Sequence, residues 1–255
     1  DMQFAGRSYI NHPMELNIWR APTDNDMYIK QEWKKAHYDA AYTRAYRIEV
    51  LQNKHGVLIM EHVAVVADTV QKILDVKMTW KINEDGKIEA VIEAVKDKEF
   101  PDLPRFGIRM FLNKKMDEIT YFGMGPQESY RDKHQASCHG LFRSKVAQMH
   151  EDYIRPQENG SHYDCDYVEL TNGQCGMAAV SKNPFSFNAS VYTQEELERV
   201  SHNYELKESD STVFCMDYAM NGIGSNSCGP DVLDKYRFAE EAFQFQFELI
   251  PFVKG

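Results

Sequence analysis

Two carboxylates, Asp24 and Asp26, stand two residues apart in the stretch Trp19-Arg20-Ala21-Pro22-Thr23-Asp24-Asn25-Asp26. Such a pair could bind a cation or divide the roles of general acid and base. The plainer use of a loop carboxylate is to order a turn through nearby backbone amides. Glu128 and Glu158 form a second pair, each following a Pro-Gln dipeptide. Paired glutamates are the equipment of glycosidases when they stand about 5–5.5 Å apart (retaining) or about 6.5–9.5 Å apart (inverting). Nothing in the spacing makes the two converge, and each could equally bond loop amides or an arginine. Ser225, Ser227 and Cys228 lie in Gly222-Ile223-Gly224-Ser225-Asn226-Ser227-Cys228-Gly229-Pro230. That stretch matches neither the G-x-S-x-G nucleophile elbow nor a phosphate-binding loop. His37, His139, His150, His162 and His202 form no H-E-x-x-H or comparable metal spacing. The five cysteines, Cys138, Cys165, Cys175, Cys215 and Cys228, are odd in number and widely spaced, with no CxxC. This disfavours a zinc ribbon and points to reduced, mostly buried thiols. Composition and spacing by themselves single out no catalytic constellation.

The elements that must position these residues read mainly as strands. Leu74, Val76, Met78, Trp80 and Ile82 alternate with polar residues, and Ile88, Ala90, Ile92 and Ala94 do the same beyond Asn83-Glu84-Asp85-Gly86. Asp-Gly supplies the positive-φ residue of a tight turn, so this is a hairpin with one wet face. Phe106, Ile108, Met110 and Leu112 alternate, as do Phe243, Phe245, Phe247 and Leu249. Val57 to Val66 is a more continuous apolar run, expected for a strand covered on both faces. Helix signals are few. The stretch Trp33 to Tyr46 is expected to hold a short helix, and Thr193 with Glu196 forms a capping-box pattern that should open a helical turn at Glu195–Val200. The pattern predicts one all-β, mostly antiparallel domain of two large packed sheets with one or two short helices. The candidate chemistry lies in its loops.

At 255 residues the chain buries about 70–75% of its unfolded surface and needs no disulfide or metal to build a core. Its 43% hydrophobic and 27% charged content is that of a globular domain, which argues against disorder and coiled coil. No apolar run approaches the roughly 18 residues of a membrane-spanning helix, and the first ten residues have no signal-peptide pattern. The net charge of -10 disfavours nucleic acid and anionic lipid, leaving a neutral ligand such as a sugar, or a protein partner. The 14 Phe, 14 Tyr and 3 Trp suit strands and the space between sheets.

The loops carry a family resemblance. Trp19 to Asp26 resembles the RAP-x-DND signature of the C-terminal domain, or small chain, of lac-type β-galactosidases of glycoside hydrolase family two. Four further stretches resemble that domain in the same order. Tyr121-Phe122-Gly123-Met124-Gly125-Pro126-Gln127-Glu128-Ser129-Tyr130 resembles its aromatic-x-G-x-GP-x-E-x-Y stretch. Tyr153-Ile154-Arg155-Pro156-Gln157-Glu158-Asn159-Gly160 resembles its Y-x-x-P-x-ENG. Phe187-Asn188-Ala189-Ser190 with Tyr192, then Ser201-His202, resembles its FN-x-S-x-Y and SH pair. Gly222 to Pro230 resembles its G-x-G-x-x-S loop.

The resemblance implies an antiparallel β supersandwich similar to galactose mutarotases. It also implies a non-catalytic role, because the family's two catalytic glutamates lie in a (β/α)₈ barrel, and this sequence has no strand–helix alternation. The whole of 1–255 is expected to be one such domain, truncated at its N-terminus, since only 18 residues precede Trp19. The implied partners are the remaining domains or a large chain, and a β-galactoside. Magnesium and sodium are implied for the full-length enzyme, together with a homo-oligomeric state and a cytoplasmic location. Asp24, Asn25, Asp26, Tyr28 and Cys228 are implied to lie near substrate, with Cys228 standing where some members have a sugar-stacking tryptophan. Met27-Tyr28-Ile29-Lys30 implies a shortened flap. Within the chain, Asp24 and Asp26 are expected to order their loop through backbone amides, and Cys228 to be an exposed thiol outside any disulfide. The alternative is a stand-alone carbohydrate-binding or aldose mutarotase-like module, which would need a His acid and a Glu base on one concave sheet.

Overall fold

Alternation of apolar and polar residues becomes strand after strand. A computed structural model describes residues 2–224 and 228–254. In chain order the elements are β1 (Gln3–Phe4), β2 (Arg7–Ser8), β3 (Ile10–Asn17), α1 (Ile29–Lys35), β4 (Tyr42–Asn53), β5 (Gly56–Val66), β6 (Lys72–Asn83) and β7 (Ile88–Lys96). They continue as β8 (Arg105–Asn113), β9 (Glu118–Gly125), β10 (Cys138–Lys145), β11 (Ser161–Thr171), β12 (Cys175–Ser190), α2 (Gln194–Arg199), β13 (Ser211–Met220) and β14 (Ala242–Val253). The all-β, antiparallel expectation holds.

The β6–β7 hairpin turns at Gly86, whose φ of +85° is the left-handed conformation that glycine adopts without penalty. The Gly86 N–H donates to the Asn83 carbonyl at 3.0 Å. Leu74, Val76, Met78 and Trp80 are buried on one face. So are Phe106, Ile108, Met110 and Leu112 of β8, and Phe243, Phe245, Phe247 and Leu249 of β14. Each such side chain contributes about 1.5–3 kcal/mol on burial. Phe106 of β8 meets Phe243 of β14 edge to face at 4.8 Å between centroids, and Trp80 meets Phe247 at 6.1 Å.

The two layers are continuous. The strand order runs β10-β9-β11-β12-β14-β7-β6-β5-β4, and β13, β8 and β3 branch away from β12. The first part of β12, Cys175 to Val180, pairs with β14, and its last part, Ser186 to Ser190, pairs with β13. Pro184 falls between the two paired stretches, where its missing N–H costs no ladder bond.

Three local expectations need correction. The first helix is α1 at Ile29–Lys35, not Trp33 to Tyr46. His37, at φ 57°, ends that helical stretch, and from Tyr42 the chain alternates as β4 against β5. In β5 only Val63 to Val66 is buried; residues 57–61 are half-exposed because their neighbour β4 is the sheet's outer strand. Helix α2 opens on Thr193, whose hydroxyl accepts the Glu196 N–H at 3.1 Å. Glu196 does not reach back, because its carboxylate is engaged by Arg199 and by the Lys207 N–H. Cys165, Cys175 and Cys215 are buried, Cys138 and Cys228 are exposed, and all five are free thiols. No helix among the described residues is long and apolar enough to cross a membrane.

Candidate functional site

The loop from Trp19 to Tyr28 is built on a buried arginine. Arg20 is 0% exposed. Its guanidinium donates to both carboxylate oxygens of Asp26, at 2.7 and 3.2 Å. Its remaining N–H groups reach the carbonyls of Asn221 at 2.5 Å and Gly222 at 3.2 Å. A buried charge demands this, since an unpaired one would cost several kcal/mol. The Trp33 ring lies 5.2 Å from the Arg20 guanidinium carbon. Asp26 also accepts the Thr23 N–H at 2.9 Å, closing a short 3-10 turn over Asp24–Asp26.

A second buried arginine anchors the next loop. Arg105 opens β8 and donates to Asp217 of β13 at 3.0 and 2.5 Å, and to Glu158 at 3.0 Å. Burial pushes the Glu158 and Asp217 carboxyls upward against the pull of Arg105. Burial also disfavours the Arg105 charge, yet Asp217 and Glu158 outweigh it and hold the guanidinium well above its ordinary range. The Glu158 N–H donates to the Ala21 carbonyl at 3.0 Å, tying the 155–160 loop to the 19–28 loop.

Glu128 is saturated in its turn. It accepts from Lys133, from the Tyr153 hydroxyl, from the Tyr130 hydroxyl at 3.1 Å and from the Gly160 N–H at 2.9 Å. Burial pushes its carboxyl up, but Lys133, Tyr153 and Gly160 win and hold it below the usual range. Glu128 and Glu158 therefore take the plainer use: one is filled by loop donors, the other by an arginine.

The exposed candidates ride on this base. Asp24 differs from expectation. Its carboxylate accepts from the Gln157 side chain at 3.3 Å, and its own N–H donates to Gln157 at 2.9 Å. Asp26 alone of the two carboxylates orders the loop through a backbone amide. Asn25 donates from Nδ2 to the Ile223 carbonyl at 3.1 Å. Asp132 accepts the N–H groups of Ile223 at 3.1 Å and Gly224 at 2.7 Å. The structure thus brings Asp24, Asn25 and Asp26 together with the 155–160 and 221–224 segments. Tyr28 is 55% exposed, and Cys228 is exposed and free, as expected. Ser225 and Ser227 lie outside the described residues.

Arg20, Arg105, Asp132, Gln157 and Asp217 escape a reading of candidate carboxylates and nucleophiles. A signal existed for two of them. Arg105 begins an otherwise apolar alternation, and Asp217 interrupts the run Val213-Phe214-Cys215-Met216, so each is a charge written into a buried strand. The described residues contain no group of three or more His, Cys, Asp or Glu side chains placed to hold a metal ion.

Residues 1–249 match the family described as beta galactosidase small chain. The chain is 47% identical over 246 residues to a β-galactosidase of Actinobacillus pleuropneumoniae, covering 96% of this chain and 24% of that protein. It is 37% identical over 233 residues to a β-galactosidase of Staphylococcus xylosus, covering 91% of this chain and 23% of that protein. The chain thus spans about a quarter of the length of these curated relatives. Among solved structures, a galactose 1-epimerase from Lactobacillus acidophilus aligns with a TM-score of 0.47 at 8% identity, over 100% of this chain and 82% of that one.

Proposed function

The chain belongs to the β-galactosidase small-chain family, and from that premise we propose that it is the non-catalytic C-terminal domain of a retaining enzyme that hydrolyses terminal β-D-galactosides. In this reading the catalytic glutamates belong to a barrel elsewhere in the full-length protein, one serving as nucleophile and the other as general acid. The 19–28 loop, the 221–224 segment and Cys228 form the outer rim of the site. Asp24, Asn25 and Tyr28 offer polar contacts there, and Cys228 offers a small apolar wall.

The observation that carries the reading is the Arg20–Asp26 pair, which reaches from one loop to the carbonyls of Asn221 and Gly222 in the other. A rim that must hold its shape against a sugar needs such fixity, and a buried ion pair with all its hydrogen bonds made supplies it. The occupied state of Glu128 and Glu158 supports the non-catalytic part. Neither carboxylate is free to attack an anomeric carbon or to protonate a leaving group. Magnesium and sodium belong, on this reading, to the rest of the full-length protein, which is a cytoplasmic homo-oligomer.

Two measurements test it. The 255-residue chain should not turn over a chromogenic β-galactoside; turnover that disappears in Glu128→Gln or Glu158→Gln would overturn the non-catalytic assignment. In the full-length enzyme, Cys228→Trp should lower KM, since a stacking platform adds about 0.5–1.5 kcal/mol, and Tyr28→Ala should raise it. A KM indifferent to both substitutions would remove these loops from the substrate.

A further inference from the structure

Strand β11 carries an irregularity that the rim does not use. Its register against β12 slips between His162 and Cys165. Within the slip, Asp164 holds φ 55°, a left-handed backbone that costs a non-glycine residue about 1–2 kcal/mol. Consecutive residues of a regular strand face opposite sides of the sheet. Here Tyr163 and Asp164 both line one hollow of about 320 Å³, as a bulge permits by re-aiming a side chain. Tyr218 at the end of β13, Arg131 and Glu240 complete its chemically active wall.

We propose that this hollow binds one ring of a neutral saccharide. The two tyrosines are braced from behind: Tyr218 stacks on Phe243 at 5.0 Å and 12°, and Tyr163 stacks on His134 at 5.5 Å and 27°. Braced aromatic rings suit the C–H face of a pyranose. Glu240 stands beside Tyr218 on the same wall, and its charge pushes the Tyr218 hydroxyl upward after the larger push from burial. The Asp164 carboxylate accepts no hydrogen bond among the described residues and is open to sugar hydroxyls. Arg131 is tethered by the carbonyls of Arg237 at 3.1 Å and Lys235 at 3.3 Å. Two carboxylates against one arginine repel a sugar phosphate, and the same charges reject a purely apolar ligand. None of Asp24, Asn25, Asp26, Tyr28 or Cys228 lines the hollow, which meets the proposed rim at Asn221.

The test is saturation-transfer NMR on the 255-residue chain with lactose as probe and glucose 6-phosphate as the charged comparison. Lactose should bind saturably and more tightly than the phosphate. Asp164→Gly removes the carboxylate while suiting the left-handed backbone, so it should weaken lactose binding about tenfold or more without lowering the melting temperature. Tyr163→Ala, a second and independent variant, should weaken it similarly. Absence of saturable lactose binding, binding undiminished in both variants, or preference for glucose 6-phosphate would each overturn the proposal. No hydrolysis is read in this experiment, so its failure is separable from a failure of the galactosidase reading.

Discussion

Asp24 and Asp26 sit in one short motif and do opposite things. Asp26 is buried against Arg20, and removing it would leave an enclosed guanidinium without its counter-charge. Asp24 is exposed, and among the described residues its carboxylate hydrogen-bonds to the Gln157 side chain. Asp26→Ala should therefore cost about 3–5 kcal/mol of stability, whereas Asp24→Ala should stay within about 0.5 kcal/mol. Urea denaturation of the two variants checks this, and equal losses would show that the pair does not divide the roles as described. The motif made both carboxylates legible as candidates. What it could not reveal is which one is buried, because the Asn221 carbonyl that completes the Arg20 shell lies 201 residues away. The same holds for Arg105, whose partner Asp217 is 112 residues distant. A charge within an apolar alternation announces that some partner exists, not where it comes from.

At the scale of elements, strands were legible and helices less so. Period-two alternation in β6, β8 and β14 coincides with burial, because each strand turns one face to the core. A run of Lys, Ala and Tyr such as Trp33 to Tyr46 has no comparable discriminator, and sheet pairing from Tyr42 overrode its helix propensity. Loops depend on single residues, and the 155–160 loop depends on Gly160. Its φ of 68° is left-handed. A Cβ there would run into the Met149 carbonyl oxygen. Its N–H is one of the donors to Glu128. Next to it, the Asn159 carbonyl takes the Asn188 side chain at 2.5 Å, so the backbone cannot easily yield. Gly160→Ala should cost upwards of about 1–2 kcal/mol from the backbone conformation, with the clash adding to it. A variant whose urea midpoint matches the parent would mean that the loop relaxes freely. That outcome would also weaken the case for a rigid rim.

At the scale of the whole molecule, the branch of the sheet at β12 creates an interior that must be filled from both sides, and there a histidine is enclosed. His162 of β11 packs against Tyr121 of β9 at 4.4 Å and against Phe187 of β12 at 5.2 Å and 24°. Its Nδ1 bonds the Met124 carbonyl at 3.0 Å, which requires a proton on that nitrogen. Burial pushes its pKa down to about 4, against weaker upward pulls from the Met124 carbonyl and Glu128. The unfolded chain titrates this group near its ordinary 6.5. Above that value neither state carries the extra proton, and the contribution to stability is complete. Below it the unfolded state binds a proton that the folded state refuses, so stability falls as pH drops from 6.5 towards 4. The full loss is about 3 kcal/mol, of which about 2 kcal/mol should have appeared by about pH 5. Urea unfolding between about pH 7.5 and about pH 5 measures this directly. His162→Phe keeps an aromatic ring between Tyr121 and Phe187 but cannot titrate, so its stability should vary less over the same range. If parent and variant lose stability in parallel, the acid sensitivity arises elsewhere, and His162 is not held neutral by the junction of β9, β11 and β12.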